Sequence, residues 1–592
     1  MFQSFLPLHN PLGFGAADFV ELALALILLL LTMACRGWLE RTGLKLAEKT
    51  WLSMALLAIL PVALRLILLP YHRVPAPDIY DEFGHLFVAD TLRHFRFANP
   101  PHPLHPFFET FFILQQPTYS SIYPIGQGIV LAIGRALFGT PWAGVLLSTA
   151  AFCSLCYWML RAWVTPGWAL IGGILAIFEF GPLSGWMNNY WGGAFGAALG
   201  CLVFGSLPRL VETGRRRYAI LLAAGLGLHV LLRPYESLSL LIAVALYFLP
   251  ALRRRDDVKR LLRNMAPAIA ASLLLAFGIT MMQNKSVTGS WTTLPYQLSQ
   301  YQYGVPAGLT FRPNPTPHSE LTPQQEMEYK SQLAFRSNAP ETIDSYLERL
   351  RYRVRYDRFF FLPPLYLAIL AFLAGIRQYR FVWVCATLAL FALGTNFFPA
   401  FQLHYVAVVT CLFVLVSVAG CRQISQWNPD AARLLVFLCV AHFTFWYGMH
   451  LLDTQDFSTE ARRYETWDGL NHRNPERRLQ VNEQLAAIPG KLIVFVRYWP
   501  QHIFQEEWVY NEADIDHARV IWARDLGEPE NKKLRDYYPD RAVWLLEPDA
   551  RPPKLEPYQA VEPAPAPPTV ETTKEDKRPP THPELKFENV PR

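Results

Sequence analysis

Three carboxylates stand close together in PDIYDEF, at Asp78, Asp81 and Glu82. Pro75 and Pro77 precede them, and an apolar series at helical spacing follows: Phe83, Leu86, Phe87, Thr91 and Phe95. The stretch 74–99 is therefore expected to form a short helix lying on a bilayer surface, with acids in its first turn. Such acids serve in two ways. As structure, Asp78 caps the helix while Asp81 and Glu82 favour its positive N-terminal end. As chemistry, a carboxylate held at the lipid–water boundary is a general base for an acceptor hydroxyl. Spacing alone leaves both readings open.

Further reactive groups stand at the ends of apolar blocks. Arg233 and Glu236 are one helical turn apart in LLRPYESL, Lys285 follows an apolar run, and His404 and Tyr405 open another. Ionisable groups at such places line a cavity, because facing lipid is costly, or anchor the chain at the interface. His85, His94, His102 and His105 crowd one loop. A metal site needs three or four ligands at fixed geometry. His102 and His105, in the stiff run PPHPLHPF, form a candidate pair, so no metal is assigned and a divalent cation is left open. All eight cysteines lie in apolar blocks or at their edges, which argues against a disulfide framework. Cys153 and Cys156 read as small residues on one face of a membrane helix.

The elements that carry these residues are apolar. The chain is 52% hydrophobic and 17% charged, and apolar blocks of roughly 20 residues, the length that crosses a bilayer, recur as far as His450. The net charge of +6 sits in short loops, as in cytoplasmic loops rather than a nucleic-acid binder. With the basic loops 36–49, 209–217, 253–263 and 377–380 placed inside, the Asp81 loop, the 284–358 loop and everything after 452 fall outside. An odd number of crossings is then needed between 122 and 208, so 122–139 is expected to be re-entrant, and the total to be about 12 spans.

Residues 453–550 are polar: a helical run, PERRLQVNEQLAAIP, precedes the strand KLIVFVRY, a second strand ARVIWARD precedes the short helix NKKLRDYYPD, and a third, AVWLLEPD, closes the unit. That alternation predicts a small α/β unit with parallel pairing. The proline-rich, charged stretch 551–592 is expected to be disordered. The domain plan is thus an extra helix and loop (1–50), a membrane domain (51–452) with outer loops 71–121 and 284–358, the α/β unit and the tail.

Tyr80-Asp81-Glu82, the re-entry Tyr123-Pro124-Ile125-Gly126 and the run from Ala132 to Gly139 together resemble the GT-C membrane glycosyltransferases, in particular the protein O-mannosyltransferases and the lipid A aminoarabinose transferase. The resemblance is carried by residues 51–164 and does not reach 453–592. It implies a polytopic helical enzyme of a bacterial inner membrane, with the α/β unit periplasmic. The donor it implies is a sugar on polyprenyl phosphate; the acceptor is an unspecified protein, lipid or glycan. The resemblance further implies that Asp81 takes the acceptor proton with inversion of the anomeric centre, and that Glu82 positions the acceptor or supports Asp81.

One departure stands out. Relatives often carry a lysine for the donor phosphate just before the re-entry proline, where this chain has Tyr123, with Gln115, Gln116 and Tyr119 nearby. Arg233, Lys285 and His404 are the candidate replacements, with Glu236, Tyr123 and Tyr405 in support. Two other readings compete: a transporter or flippase of lipid-linked glycans, for which no internal repeat is visible and only Arg65, Arg135 and Glu179 lie within apolar blocks, and a non-catalytic envelope-assembly protein.

Overall fold

The computed structural model describes residues 16–77, 79–250, 255–336, 340–452 and 476–559. The expected cap Asp78 lies outside them. Two helices open the chain, α1 (Ala16–Glu48) and α2 (Thr50–Ile67), followed by α3 (Tyr80–Arg93), a two-strand ribbon β1 (Ile113–Leu114) and β2 (Ser120–Ser121), and α4 (Ile125–Phe138). The bundle continues through α5 (Trp142–Leu160), α6 (Pro166–Phe180), α7 (Ala194–Thr213), α8 (Arg216–Leu232), α9 (Pro234–Tyr247) and α10 (Arg255–Thr288). A long connection carries α11 (Pro295–Tyr303), α12 (Pro323–Arg336) and α13 (Ile343–Val354); then come α14 (Tyr366–Ala374), α15 (Tyr379–Thr395), α16 (Thr410–Trp427) and α17 (Pro429–Leu452).

Six of the described helical segments are long and apolar enough to cross a membrane: Thr50–Ile67, Trp142–Leu160, Ala194–Thr213, Met265–Thr288, Leu403–Trp427 and Pro429–Leu451. A seventh is added if the bent pair Leu22–Cys35 and Glu40–Glu48 is one span. The expected figure of about 12 is higher because several apolar blocks fold as shorter helices, among them α4, α6, α9 and α15. At about 1.5 Å per residue, α4 falls short of a bilayer core of roughly 30 Å. Its Arg135 lies 3.5 Å from Asp90 and 3.3 Å from Glu512 of the C-terminal unit, so α4 rides on the polar face of the bundle.

The C-terminal unit contains α18 (Glu476–Ala487), β3 (Leu492–Val496), β4 (Val520–Arg524), α19 (Glu528–Tyr537), β5 (Ala542–Glu547) and β6 (Lys554–Pro557). Its sheet order is β4-β3-β5-β6; β3 pairs in parallel with β4 and β5, as the alternation of elements predicts. The expected disordered tail is corrected at its start. Lys554–Pro557 pairs antiparallel with β5, an edge position that tolerates Pro557. Residues 560–592 lie outside the described residues.

β3, LIVFV, is buried on both faces. Leu492, Val494 and Val496 pack with Val481, Leu485, Trp508 and Trp522. Ile493 and Phe495 join Phe87, Phe107, Phe108, Ile113 and Tyr119, residues of the loop between α2 and α4. That loop completes one face of the sheet, and each fully buried Phe contributes about 1.5–3 kcal/mol to holding it there.

The same packing corrects the expected surface helix. α3 starts and ends near the expected places, but it is covered by protein rather than lying on lipid. Phe83 stacks on Tyr510 with centroids 4.5 Å apart, and Val88, Ala89 and Thr91 are buried. Phe95 does not extend the apolar stripe: it follows the helix end, adopts φ 55° and is 99% exposed.

Candidate functional site

The site assembles where α3, α4, the α8–α9 junction and the segment Leu403–Val409 meet. α3 begins after the extended Ile79, whose N–H is accepted by Glu82 Oε2 at 3.5 Å. Glu82 Oε1 accepts the N–H of Tyr190 at 3.1 Å, and Tyr190 donates its hydroxyl to the Pro75 carbonyl at 2.8 Å. Glu82, 5% exposed, therefore ties the first turn of α3 to the turn between α6 and α7. Removing it would orphan two backbone donors, a cost of about 1–3 kcal/mol each where they are buried.

Asp81, one residue earlier, is half-buried and accepts the Tyr123 hydroxyl at Oδ1. Tyr123 is steered from three sides. Its carbonyl accepts Gln283 Nε2 of α10 at 2.9 Å, and its ring lies 4.2 Å from that of His85. It also crosses α3 at Gly84, where a Cβ would stand 2.6 Å from the ring. Burial and the nearby Arg233 charge hold the His85 imidazole down to about 3, so the ring is neutral at ordinary pH.

Arg233 ends α8 and begins α9, at φ −142° and ψ 80°. Its guanidinium stands 3.9 Å from Glu236 Oε1, and its Cζ lies 5.0 Å over the Tyr405 ring. His404 packs edge-on to Tyr405 at 4.9 Å and to Trp191 at 5.6 Å. Gly126 lets α4 sit on this junction, since a Cβ there would come 2.6 Å from Leu232 Cα. The structure thus gathers Asp81, Tyr123, Arg233, Glu236, His404 and Tyr405 into one neighbourhood. Lys285 behaves differently: it is exposed and donates to the Gly289 carbonyl at 2.6 Å, closing the last turn of α10.

Several neighbours had no sequence signal. Asp90, 3% exposed, accepts the Ala513 N–H at 2.8 Å and pairs with Arg93 and Arg135, joining α3 to the C-terminal unit. Tyr80 donates to Glu328 Oε1 at 3.3 Å, bringing α12 to the start of α3. Burial and the Asp81 charge push the Glu328 carboxyl up to about 7. These partners are hundreds of positions apart, and nothing local marks them.

The histidine pair has other work. His102 accepts the Leu104 N–H at Nδ1, 2.9 Å, so Nε2 carries the proton toward the Tyr538 oxygen, also 2.9 Å away. His105 lies 3.6 Å from Glu109. Among the described residues no group of three His, Cys, Asp or Glu is placed to hold a metal ion. Arg65 donates to Asn188 Oδ1 at 2.6 Å and to the carbonyls of His72 and Arg73. Arg65 and Arg135 thus serve as ties within the protein, rather than as the mid-membrane relay a transporter would need.

No family model matches the chain, and no curated protein matches it. Solved structures do. ArnT from Cupriavidus metallidurans in the apo state matches over 85% of this chain and 93% of its own, at 11% identity and TM-score 0.46. The same protein bound to undecaprenyl phosphate matches over 83% and 92%, at 11% identity and TM-score 0.45. The oligosaccharyltransferase AglB from Archaeoglobus fulgidus, in complex with an inhibitory peptide and a dolichol-phosphate, matches over 86% of this chain and 70% of its own, at 11% identity and TM-score 0.33. The chain is thus similar, over most of its length, to solved structures of ArnT and of the oligosaccharyltransferase AglB.

Proposed function

We propose that this chain is a membrane glycosyltransferase that moves a sugar from a polyprenyl-phosphate carrier to an acceptor on the outer side of a bacterial inner membrane. Asp81 takes the proton of the acceptor group as its oxygen or nitrogen bonds to the anomeric carbon. The bond from that carbon to the phosphate oxygen breaks on the opposite face, and the oxygen keeps the electron pair. The centre is inverted. One observation carries the reading: Asp81, held by Tyr123 at the start of α4, shares its neighbourhood with Arg233 at the α8–α9 junction. A base and a fixed cation are what proton removal and a departing phosphate require.

Tyr123 stands where relatives often carry a lysine, and its hydroxyl is given to Asp81. The positive charge for the phosphate comes instead from Arg233, oriented by Glu236 and the Tyr405 ring. His404 and Tyr405 line that side, and Glu82 keeps α3 in place. The C-terminal unit, on the same outer face, buttresses the Asp81 loop through the shared apolar core. Binding and turnover separate the two roles. Arg233→Ala should weaken undecaprenyl phosphate binding to the purified chain about tenfold or more, a loss of roughly 1.5–3 kcal/mol. Asp81→Asn should leave that binding in place and stop transfer. Unchanged binding in Arg233→Ala would remove Arg233 from the site.

A further inference from the structure

Helix α12 belongs to the long connection between α10 and α14, yet its position is set by contacts from several elements. Arg524, at the end of β4, donates to Gln324 Oε1. Gln325, 3% exposed, donates to Glu109 Oε2 at 3.4 Å, and Gln332 donates to the Gly304 carbonyl at 2.9 Å. Tyr80, the residue before Asp81, donates to Glu328 Oε1 at 3.3 Å. The C-terminal sheet, the first loop and α3 therefore meet on one helix, which delivers a second carboxylate beside the first.

We propose that Glu328 is a positioning residue of the transfer site, which holds the first turn of α3 through Tyr80 and whose negative charge favours release of the spent lipid phosphate. The inference rests on the transferase reading above. In that reaction a phosphodiester, with one negative charge, becomes a phosphomonoester, whose second ionisation lies near neutral pH at about 6. A carboxylate near the site repels the product more than the donor. The groups acting on Glu328 are Asp81 and Tyr80 of α3; on its own helix, Lys330 is paired with Glu326 at 2.8 Å. Because burial and the Asp81 charge raise the Glu328 carboxyl to about 7, it is largely neutral below that pH and charged above it.

The test is undecaprenyl phosphate binding to the purified full-length chain at about pH 6 and about pH 8, for wild type, Glu328→Gln and Glu328→Ala. The ionisation of the ligand is common to all three, so the ratio of dissociation constants isolates Glu328. Glu328→Gln should match wild type at the lower pH and bind several-fold tighter at the higher, up to about tenfold for one unit of coupling. Glu328→Ala should show the same pH-dependent ratio and, in addition, faster hydrogen exchange over residues 80–83. Glu328→Gln, which still accepts the Tyr80 hydroxyl, should keep that protection. A ratio that does not change with pH, while wild type binds, overturns the inference alone. Wild type that fails to bind undecaprenyl phosphate overturns the transferase reading and the inference with it.

Discussion

Tyr123 donates its hydroxyl to Oδ1 of Asp81 across 42 positions of sequence, and the bond joins the first turn of α3 to the start of α4. Tyr123→Phe keeps the ring against His85 and Phe112 and removes only that bond. A hydrogen bond to a charged group is worth about 1.5–3 kcal/mol, so transfer should fall roughly ten- to hundredfold. The melting temperature of the detergent-solubilised protein should barely move. Wild-type turnover in Tyr123→Phe would show that the bond does not orient the base.

Gly84 sets stability against activity. Alanine in a helix interior is favoured over glycine by about 1 kcal/mol, but a Cβ at 84 would stand 2.6 Å from the Tyr123 ring. The ring must shift and release Asp81. Gly84→Ala is expected to fold with near-normal thermal stability and lose most transfer activity. At Gly278 a Cβ meets nothing within 4 Å, and Gly278→Ala should leave both unchanged. Equal activity in the two variants would contradict the placement of Tyr123.

Glu109 of the first loop meets α12 at Gln325, and Glu328 of α12 meets Tyr80 of α3; burial pushes both carboxyls up to about 7. With α12 detached, each returns toward its ordinary value of 4.5. Between those values the docked form binds more protons, so raising the pH weakens docking, and the loss is complete above about 7. Hydrogen exchange over residues 323–336, corrected for its intrinsic pH dependence, should show less protection at pH 8 than at pH 5. Constant protection would show that neither carboxyl is buried as described.

Asp90 links α3 to the C-terminal unit through the Ala513 N–H and to α4 through Arg135. Asp90→Ala leaves that buried N–H without its acceptor and should cost about 1–3 kcal/mol, seen as a lower melting temperature. Asp90→Asn retains an acceptor oxygen and should cost less. If both variants melt with wild type, the link contributes nothing to docking.

What was legible in the chain follows the range of the interactions. Arg233 and Glu236 are three positions apart, so helical spacing predicted their pairing, and the structure has them 3.9 Å apart. The strands around Val494, Trp522 and Trp544 were legible because short apolar runs alternate with polar helices. α3 was legible as a helix but not as a buried one, since the rings that cover it, such as Tyr510, come from more than 400 positions later. Glu328 and Asp90 had no local mark for the same reason. The helices long enough to span, among the described residues, are fewer than the apolar blocks because a block shows composition, not the length of the helix it forms: α4 and α9 are each 14 residues long.

The central claim is that Asp81 is the base, and Asp81→Asn tests it most directly. The purified variant is compared with wild type for undecaprenyl phosphate binding and for transfer from an undecaprenyl-phosphate-linked sugar. General-base catalysis contributes typically 10²–10⁴-fold, so transfer should fall by about that factor while binding is retained. Transfer at the wild-type rate in Asp81→Asn would contradict the account.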